Sequence, residues 1–326
     1  MTRTRTARLT GARLDAAARF LWTSGRVLEQ RRFAHLFGGE SGPGSDPGSD
    51  PSSDPAGLLA ALDAHRTADG GYAYGLEPDV RGPAAQPIAV PGALLVLEEA
   101  GALDEARARA VCDWLAGVAA PDGGVPVVLP SLRPYPHPPF VPVPEEGEPP
   151  VGALLSTGQI VAPLLRRGIV HPWLTAATAF CRTAVENLRE THPYEAGAAI
   201  RFLDAAPDTA WARREAARLG TLVREQRIVL LDPTRPEDAR VSPGYAPGEY
   251  HLPHDYARRP DSLARHWFTA AELARGLDHL AAEQQPDGGW PIHWVRWSAS
   301  TESEARPGVT LQALLTLRAY DAPGGV

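Results

Sequence analysis

The sequence predicts an all-α fold, and three observations carry that expectation. Apolar residues recur with a 3.6-residue period through most of the chain. Alternating, strand-like runs are almost absent, and the one tempting stretch, 125–129, is interrupted by Pro126. A helix-ending unit, in which Leu precedes Asp-Gly-Gly by seven positions, occurs three times.

In chain order, residues 14–37 set Leu14, Ala18, Leu21, Trp22 and Leu28 on one helical stripe. Helical periodicity returns at 55–67, 91–100, 104–119, 154–167, 173–189, 194–203, 208–227, 262–274, 277–284 and 303–320. Gly101 and Gly168 stand where helix C-caps are expected. Two segments break the pattern. Residues 38–55 repeat a Gly/Ser-Asp-Pro unit without a large apolar side chain, which predicts a mobile loop. Residues 121–150 carry eleven prolines and read as an extended surface connection. Both fit as insertions in one helical domain spanning residues 1–326.

The 326 residues suffice for one large core or two ordinary ones. All 32 basic residues are Arg, against 39 acidic ones, for a formal charge of −7. That balance, without a basic tract, argues against nucleic acid or an anionic membrane as the main partner. No apolar run approaches the roughly 20 residues that cross a bilayer. The basic N-terminus leads into no apolar stretch of the signal-peptide kind. Two cysteines, Cys112 and Cys181, are too few for a disulfide framework or a thiolate metal cage. A cytoplasmic protein is the expectation, with the oligomeric state open.

The repeat is the informative feature. Leu280 leads through Gln284 to Asp287-Gly288-Gly289-Trp290; Leu62 leads through Arg66 to Asp69-Gly70-Gly71-Tyr72; Leu115 leads to Asp122-Gly123-Gly124-Val125. A degraded fourth copy stands at Leu222 and Gln226, without the glycines. Such a unit ends a helix: glycine supplies positive φ for a sharp exit, and Asp bonds the turn's own backbone. The aromatic that follows packs one turn back. Helical hairpins of this kind bury their faces only by stacking on neighbours, as a solenoid or as a closed ring.

The run Leu280-x3-Gln284-x3-Gly288-x-Trp290 resembles the QW motif of the squalene–hopene cyclase and protein prenyltransferase superfamily. The resemblance implies an α/α toroid, a barrel of helical hairpins with the reactive residues just after the Gly-Gly turns. The window 72–83 then resembles the cyclases' Asp-x-Asp-Asp segment at Pro78-Asp79-Val80, but Arg81 and Gly82 stand where the second and third Asp belong. The second Asp is the superfamily's proton donor, so a surviving acid would have to be Asp79 or Glu77. Two carboxyls close together in an apolar setting keep one proton. Arg81 would oppose that, or would bind a diphosphate through its fork of donors. A surface loop with a structural salt bridge explains the same residues.

After Gly289, Trp290, Trp294 and Trp297 are spaced to line one helical face, where aromatic rings stabilise a passing carbocation; ordinary core packing is the alternative. Tyr72 and Tyr74 would join them as substrate-binding residues. The segment around Glu249, Tyr250, His251, His254, Asp255 and Tyr256 reads as a flap contributing His254 or Tyr256 to the substrate, and its loop context argues against a metal site. No Cys follows a Gly-Gly turn, which excludes the zinc site of a protein prenyltransferase. No phosphate loop, nucleophile elbow or dinucleotide fingerprint is present, and no cofactor is implied. The resemblance therefore implies acid-initiated cyclisation or rearrangement of a hydrophobic isoprenoid or polyene. A sugar-polymer lyase or hydrolase using Glu77, Asp79 and His254 or Tyr256 stays open, as does a non-catalytic toroid that binds a lipid or a partner.

Overall fold

The computed structural model describes residues 7–38 and 55–322. The expected loop at 38–55 lies outside them except for its two end residues. Twelve α-helices follow one another among the described residues: α1 (Gly11–Ser24), α2 (Val27–Phe37), α3 (Pro55–Asp63), α4 (Val90–Glu99), α5 (Glu105–Val118), α6 (Leu154–Arg166), α7 (Pro172–Asn187), α8 (Pro193–Ala205), α9 (Thr209–Glu225), α10 (Pro253–Tyr256), α11 (Ala270–Ala282) and α12 (Thr301–Asp321). The only sheet-like pairing among them is an isolated bridge between Arg66 and Tyr72.

Short-range chemistry sets the boundaries. Asp104 starts α5 by accepting the Arg107 N–H at 2.8 Å, and Asp208 starts α9 by accepting that of Trp211 at 3.0 Å. Gly101 and Gly168 close α4 and α6 with φ of 64° and 68°, as the sequence predicts. Two expected helices are divided differently. The 14–37 stripe breaks at Gly25, which has no room for a Cβ beside the Leu21 carbonyl, and Trp22 is exposed rather than on the buried face. The 262–274 and 277–284 segments become a 3-10 turn at Leu263–Trp267 followed by one continuous α11. The cause is a capping box: the Thr269 hydroxyl accepts the Glu272 N–H at 3.2 Å, and the Glu272 carboxylate accepts the Thr269 N–H at 2.8 Å.

The helices group into two compact units, residues 55–225 and residues 1–54 with 226–326. In the first, α4, α6 and α8 pack successively on one another, and α5 and α7 form a second layer behind them. In the second, α12 packs against α1, α2 and α11. A mixed apolar core of Leu14, Phe20, Leu21, Phe33, Leu280, Trp290, Leu311 and Leu314 fills it.

The three Asp-Gly-Gly turns are one structure built three times. In each, the second glycine's N–H donates to the turn's Asp: Gly71 to Asp69 at 3.3 Å, Gly124 to Asp122 at 3.0 Å, Gly289 to Asp287 at 3.0 Å. Its carbonyl accepts from the residue four positions back, Thr67, Ala120 or Gln285, at 3.0, 2.8 and 2.8 Å. The first glycine has φ of 95°, 89° and 96°. Each turn also presses on a neighbouring helix at an Ala and at the aromatic four residues later: Ala110 and Trp114 of α5, Ala176 and Phe180 of α7, Ala16 and Phe20 of α1. A Cβ on Gly288 would lie 2.0 Å from the Ala16 carbonyl oxygen. Glycine is therefore required twice, for the conformation and for the backbone approach.

The copy at 287–290 carries extra ties. Trp290 is 1% exposed and its indole N–H donates to the Leu280 carbonyl at 2.6 Å. Its backbone N–H donates to the Thr310 hydroxyl at 3.0 Å, as that of Val125 does to Thr157 at 2.9 Å. The Gln284 amide donates to the Arg13 and Gly288 carbonyls, both at 2.9 Å. Arg306 clamps Asp287 with two 2.8 Å hydrogen bonds and lies over the Phe20 ring.

Two stability measurements check this account. Trp290→Ala is expected to cost about 3–5 kcal/mol, since it empties a filled core site. Gly288→Ala is expected to cost at least about 2 kcal/mol, whereas Gly117→Ala, in α5 with open space around it, is expected to be neutral or stabilising by up to ~1 kcal/mol. Denaturant unfolding of the three variants reads the difference, and an unperturbed Gly288→Ala would refute the close approach.

Candidate functional site

The window that follows the first turn folds into a tight loop. Tyr72 is buried, and burial pushes its hydroxyl above the ordinary value, so it stays protonated. Its carbonyl accepts the Gln86 N–H at 3.0 Å, which returns the chain to the entrance of α4. Tyr74 departs from ordinary geometry: its φ is 53°, a left-handed conformation rare for an aromatic residue, and it is 53% exposed. Its N–H donates to the Gly82 carbonyl at 3.1 Å, closing the loop on itself.

Glu77, Asp79 and Arg81 are all half-buried on this loop. Tyr74, Leu76, Glu77, Val80, Arg81 and Gln86 line a pocket of about 10 Å³, room for roughly one water. The structure thus brings Glu77 and Arg81 to one small cavity with apolar and aromatic neighbours. Arg81 reaches back over Gly75, where a Cβ would meet its guanidinium at 2.7 Å.

The aromatic window differs from expectation. Residues 291–300 form no helix, and α12 begins only at Thr301, so Trp290, Trp294 and Trp297 do not share a helical face. The tight exit after Gly289 and the hydrogen bonds of Trp290 lead into an irregular stretch of bends and a turn instead. Trp290 is committed to the core, while Trp294 and Trp297 are half-buried. The Trp294 indole N–H is buried with no hydrogen-bond partner among the described residues.

His254 and Tyr256 are corrected too: they belong to a short buried helix, not a flap. Tyr256 donates its hydroxyl to the Ile228 carbonyl at 2.9 Å and packs among His251, Trp267 and Phe268. Burial pushes its pKa well up. The His254 ring sits against Gly276, where a Cβ would lie 3.2 Å from its Nδ1, and burial pulls its pKa down. Burial pushes the adjacent Asp255 carboxyl up, but the His254 and His251 imidazoles and the Leu252 N–H more than offset it, and its pKa falls below the ordinary value.

Beside them stands a pair that sequence reasoning missed. The Glu283 carboxylate accepts from His293 Nε2 at 2.8 Å and lies 3.5 Å from His279 Nε2. Burial acts to raise its pKa, yet the two imidazoles win and bring it down to about 2, while Glu283 raises that of His293. A His four residues ahead of a Glu on a helix was the available signal for His279; nothing local pointed to His293. Gln86 was missed as well. It is 2% exposed at the entrance of α4, where its amide accepts the Leu129 N–H at 2.7 Å and donates to the Ser131 hydroxyl at 3.0 Å.

Burial pushes the Cys112 thiol up to about 12 and that of Cys181 further, which leaves both unreactive. Among the described residues no group of three or more His, Cys, Asp or Glu is arranged to hold a metal ion, and no helix is long and apolar enough to cross a membrane.

Solved structures share this architecture. The chain is similar to a protein from Actinoplanes, with a TM-score of 0.57 and 17% identity over 94% of this chain and 98% of that one. It is similar to the type II terpene cyclase MstE from Scytonema, with a TM-score of 0.55 and 13% identity over 94% and 96%. A variant of that cyclase in complex with geranylgeranyl dihydroxybenzoate, its substrate, gives a TM-score of 0.53 and 14% identity over 96% and 97%. No protein-family model matches the chain, nor does any curated sequence. At these identities the likeness establishes the fold: all-α, of a kind consistent with an α/α toroid and shared with a terpene cyclase.

The Glu283 pair makes a testable pH profile. A carboxyl lowered from 4.5 contributes stability above its unfolded value and loses it as pH falls toward 2. A His raised from 6.5 contributes below its unfolded value and loses it as pH rises through the folded one. Both contributions are present between 4.5 and 6.5. Glu283→Gln is therefore expected to lower the melting temperature most within that window, and least at about pH 2. An equal loss at every pH would show that packing, not charge, holds the pair.

Proposed function

We propose that this chain is a terpene-cyclase-like enzyme that cyclises or rearranges an isoprenoid or other polyene by acid initiation. The observation that carries the reading is the whole-chain likeness to a type II terpene cyclase, which spans 94% of this chain and 96% of that one. The 72–90 loop supports it locally, since it holds two half-buried carboxyls, of which Glu77 lines the pocket with Tyr74, Leu76 and Val80.

In this reading Asp79 or Glu77 is the acid. Its proton goes to one carbon of an alkene, the cation forms at the other, and the next double bond attacks to form a carbon–carbon bond. Loss of a proton from the final cation restores an alkene and reprotonates the acid, so the net change is an isomerisation. The cavity beside Glu77 is water-sized, so a polyene end enters only as the loop shifts. Tyr74, which lines the pocket, is the aromatic group offered to the cation, and Trp290 and Tyr256 serve the core. Arg81 binds an anionic headgroup or holds one carboxylate ionised.

The test incubates the protein with geranylgeranyl-substituted aromatics, prenyl diphosphates and free polyenes and looks for cyclised products. Asp79→Asn or Glu77→Gln is expected to reduce turnover by about 10²-fold or more, because the amide keeps the shape but donates no acid proton. Arg81→Ala raises KM if it binds a headgroup and lowers the melting temperature if it is a structural partner. Full turnover in both amide variants would refute the assignment.

A further inference from the structure

The proline-rich segment does more than connect α5 to α6. Proline has no N–H, so a segment with ten prolines between residues 126 and 150 has few donors with which to hold itself in place. It makes local turns of its own, such as Leu132 N–H to the Leu129 carbonyl and Val141 N–H to that of Pro138, and beyond these it is tied to the 76–90 loop. The Ile88 N–H donates to the Val127 carbonyl at 3.0 Å, and the Arg81 N–H donates to the Pro136 carbonyl at 3.2 Å. Val80 packs with Val128 and Leu132, and the Tyr135 ring abuts Gly82, where a Cβ would come within 2.6 Å of it. Gln86 joins the two with its whole amide, Oε1 to the Leu129 N–H and Nε2 to the Ser131 hydroxyl.

Val80, Arg81, Gly82 and Gln86 also line the pocket beside Glu77. One side of these residues faces the pocket, and the other contacts the proline-rich segment. We propose that residues 126–150 are a buttress that fixes the carboxyl-bearing loop, and that Gln86 is the positioning residue that locks loop and buttress together. The inference rests on the proposed function for its catalytic consequence, but the coupling itself does not. A buried amide with both polar ends satisfied costs little to keep and much to break. Stiff proline-rich backbone suits the task because it has little freedom left to lose.

The experiment compares the parent with Gln86→Met, which keeps length and apolar bulk but removes both hydrogen bonds, and with Ser131→Ala, which removes one. Amide hydrogen exchange reads the coupling directly. In Gln86→Met, exchange is expected to quicken about tenfold at Leu129 and also at Val80, Arg81 and Ile88, with α7 to α9 unchanged. Ser131→Ala is expected to show the same pattern more weakly, and it carries the test if Gln86→Met does not fold. Faster exchange at Leu129 with Val80 and Arg81 still protected would overturn the proposal, as would a uniform increase across the unit. With a polyene substrate, Gln86→Met is expected to lower kcat and spread the product ratio while KM holds; a lower melting temperature with kcat and product ratio unchanged would mark a merely structural role. Should Asp79→Asn and Glu77→Gln keep full turnover, the cyclase reading falls, and the exchange pattern still decides whether loop and buttress move as one.

Discussion

Everything in this protein leans on a backbone contact that leaves no room for a Cβ. At each Asp-Gly-Gly turn the chain exits a helix and drives its first glycine onto the backbone of a neighbouring helix. The contact fixes which helix stands next to which, because the receiving helix needs a small Ala at the touching point and an aromatic one turn on. Hydrophobic burial would accept many helix arrangements; a glycine seated on a specific carbonyl accepts few. The same turn determines where the next segment starts, and so where any side chain after it can be.

That placement has different consequences at the three turns. After Gly289, Trp290 and Arg306 turn the exit into a clamp that ties α11 and α12 to α1. After Gly124, the chain detours through the proline-rich residues 125–153 before α6. After Gly71, it makes a loop that bears Glu77, Asp79 and Arg81, with Tyr74 held in a left-handed conformation. Strain of that kind persists only where the surroundings over-determine it, and the proline-rich segment behind the loop supplies the surroundings. The two irregular stretches of one unit thus stabilise each other, each holding no more than a single 3-10 turn of its own.

Charge is arranged with the same economy. Glu283 is drawn far below the ordinary carboxyl range by two histidines, and Asp255 is held ionised by its imidazole neighbours. Neither is suited to deliver a proton near neutrality; Glu77 stands apart from them, on the wall of the small pocket after the first turn.

The sequence by itself determined the helical class, the three turns, the C-cap glycines and the carboxyl-bearing window, because each is local: a period of 3.6, a Gly needing positive φ, an Asp within reach of its own turn. The start of α11 was misplaced within 262–274, although Thr269 and Glu272 carried its capping signal. What only the tertiary structure decided is which neighbours these units meet. The stripe of Trp290, Trp294 and Trp297 failed because periodicity says nothing about a chain turned out of helical geometry by hydrogen bonds to distant Leu280 and Thr310. His254 and Tyr256 passed for a flap because burial of a Pro-His-Asp-Tyr turn depends on Gly276, Ile228 and Trp267, which lie far along the chain. The joining role of Gln86 was invisible for the same reason: an amide declares its purpose only through its partners, and Leu129 and Ser131 reach it across more than forty residues of sequence.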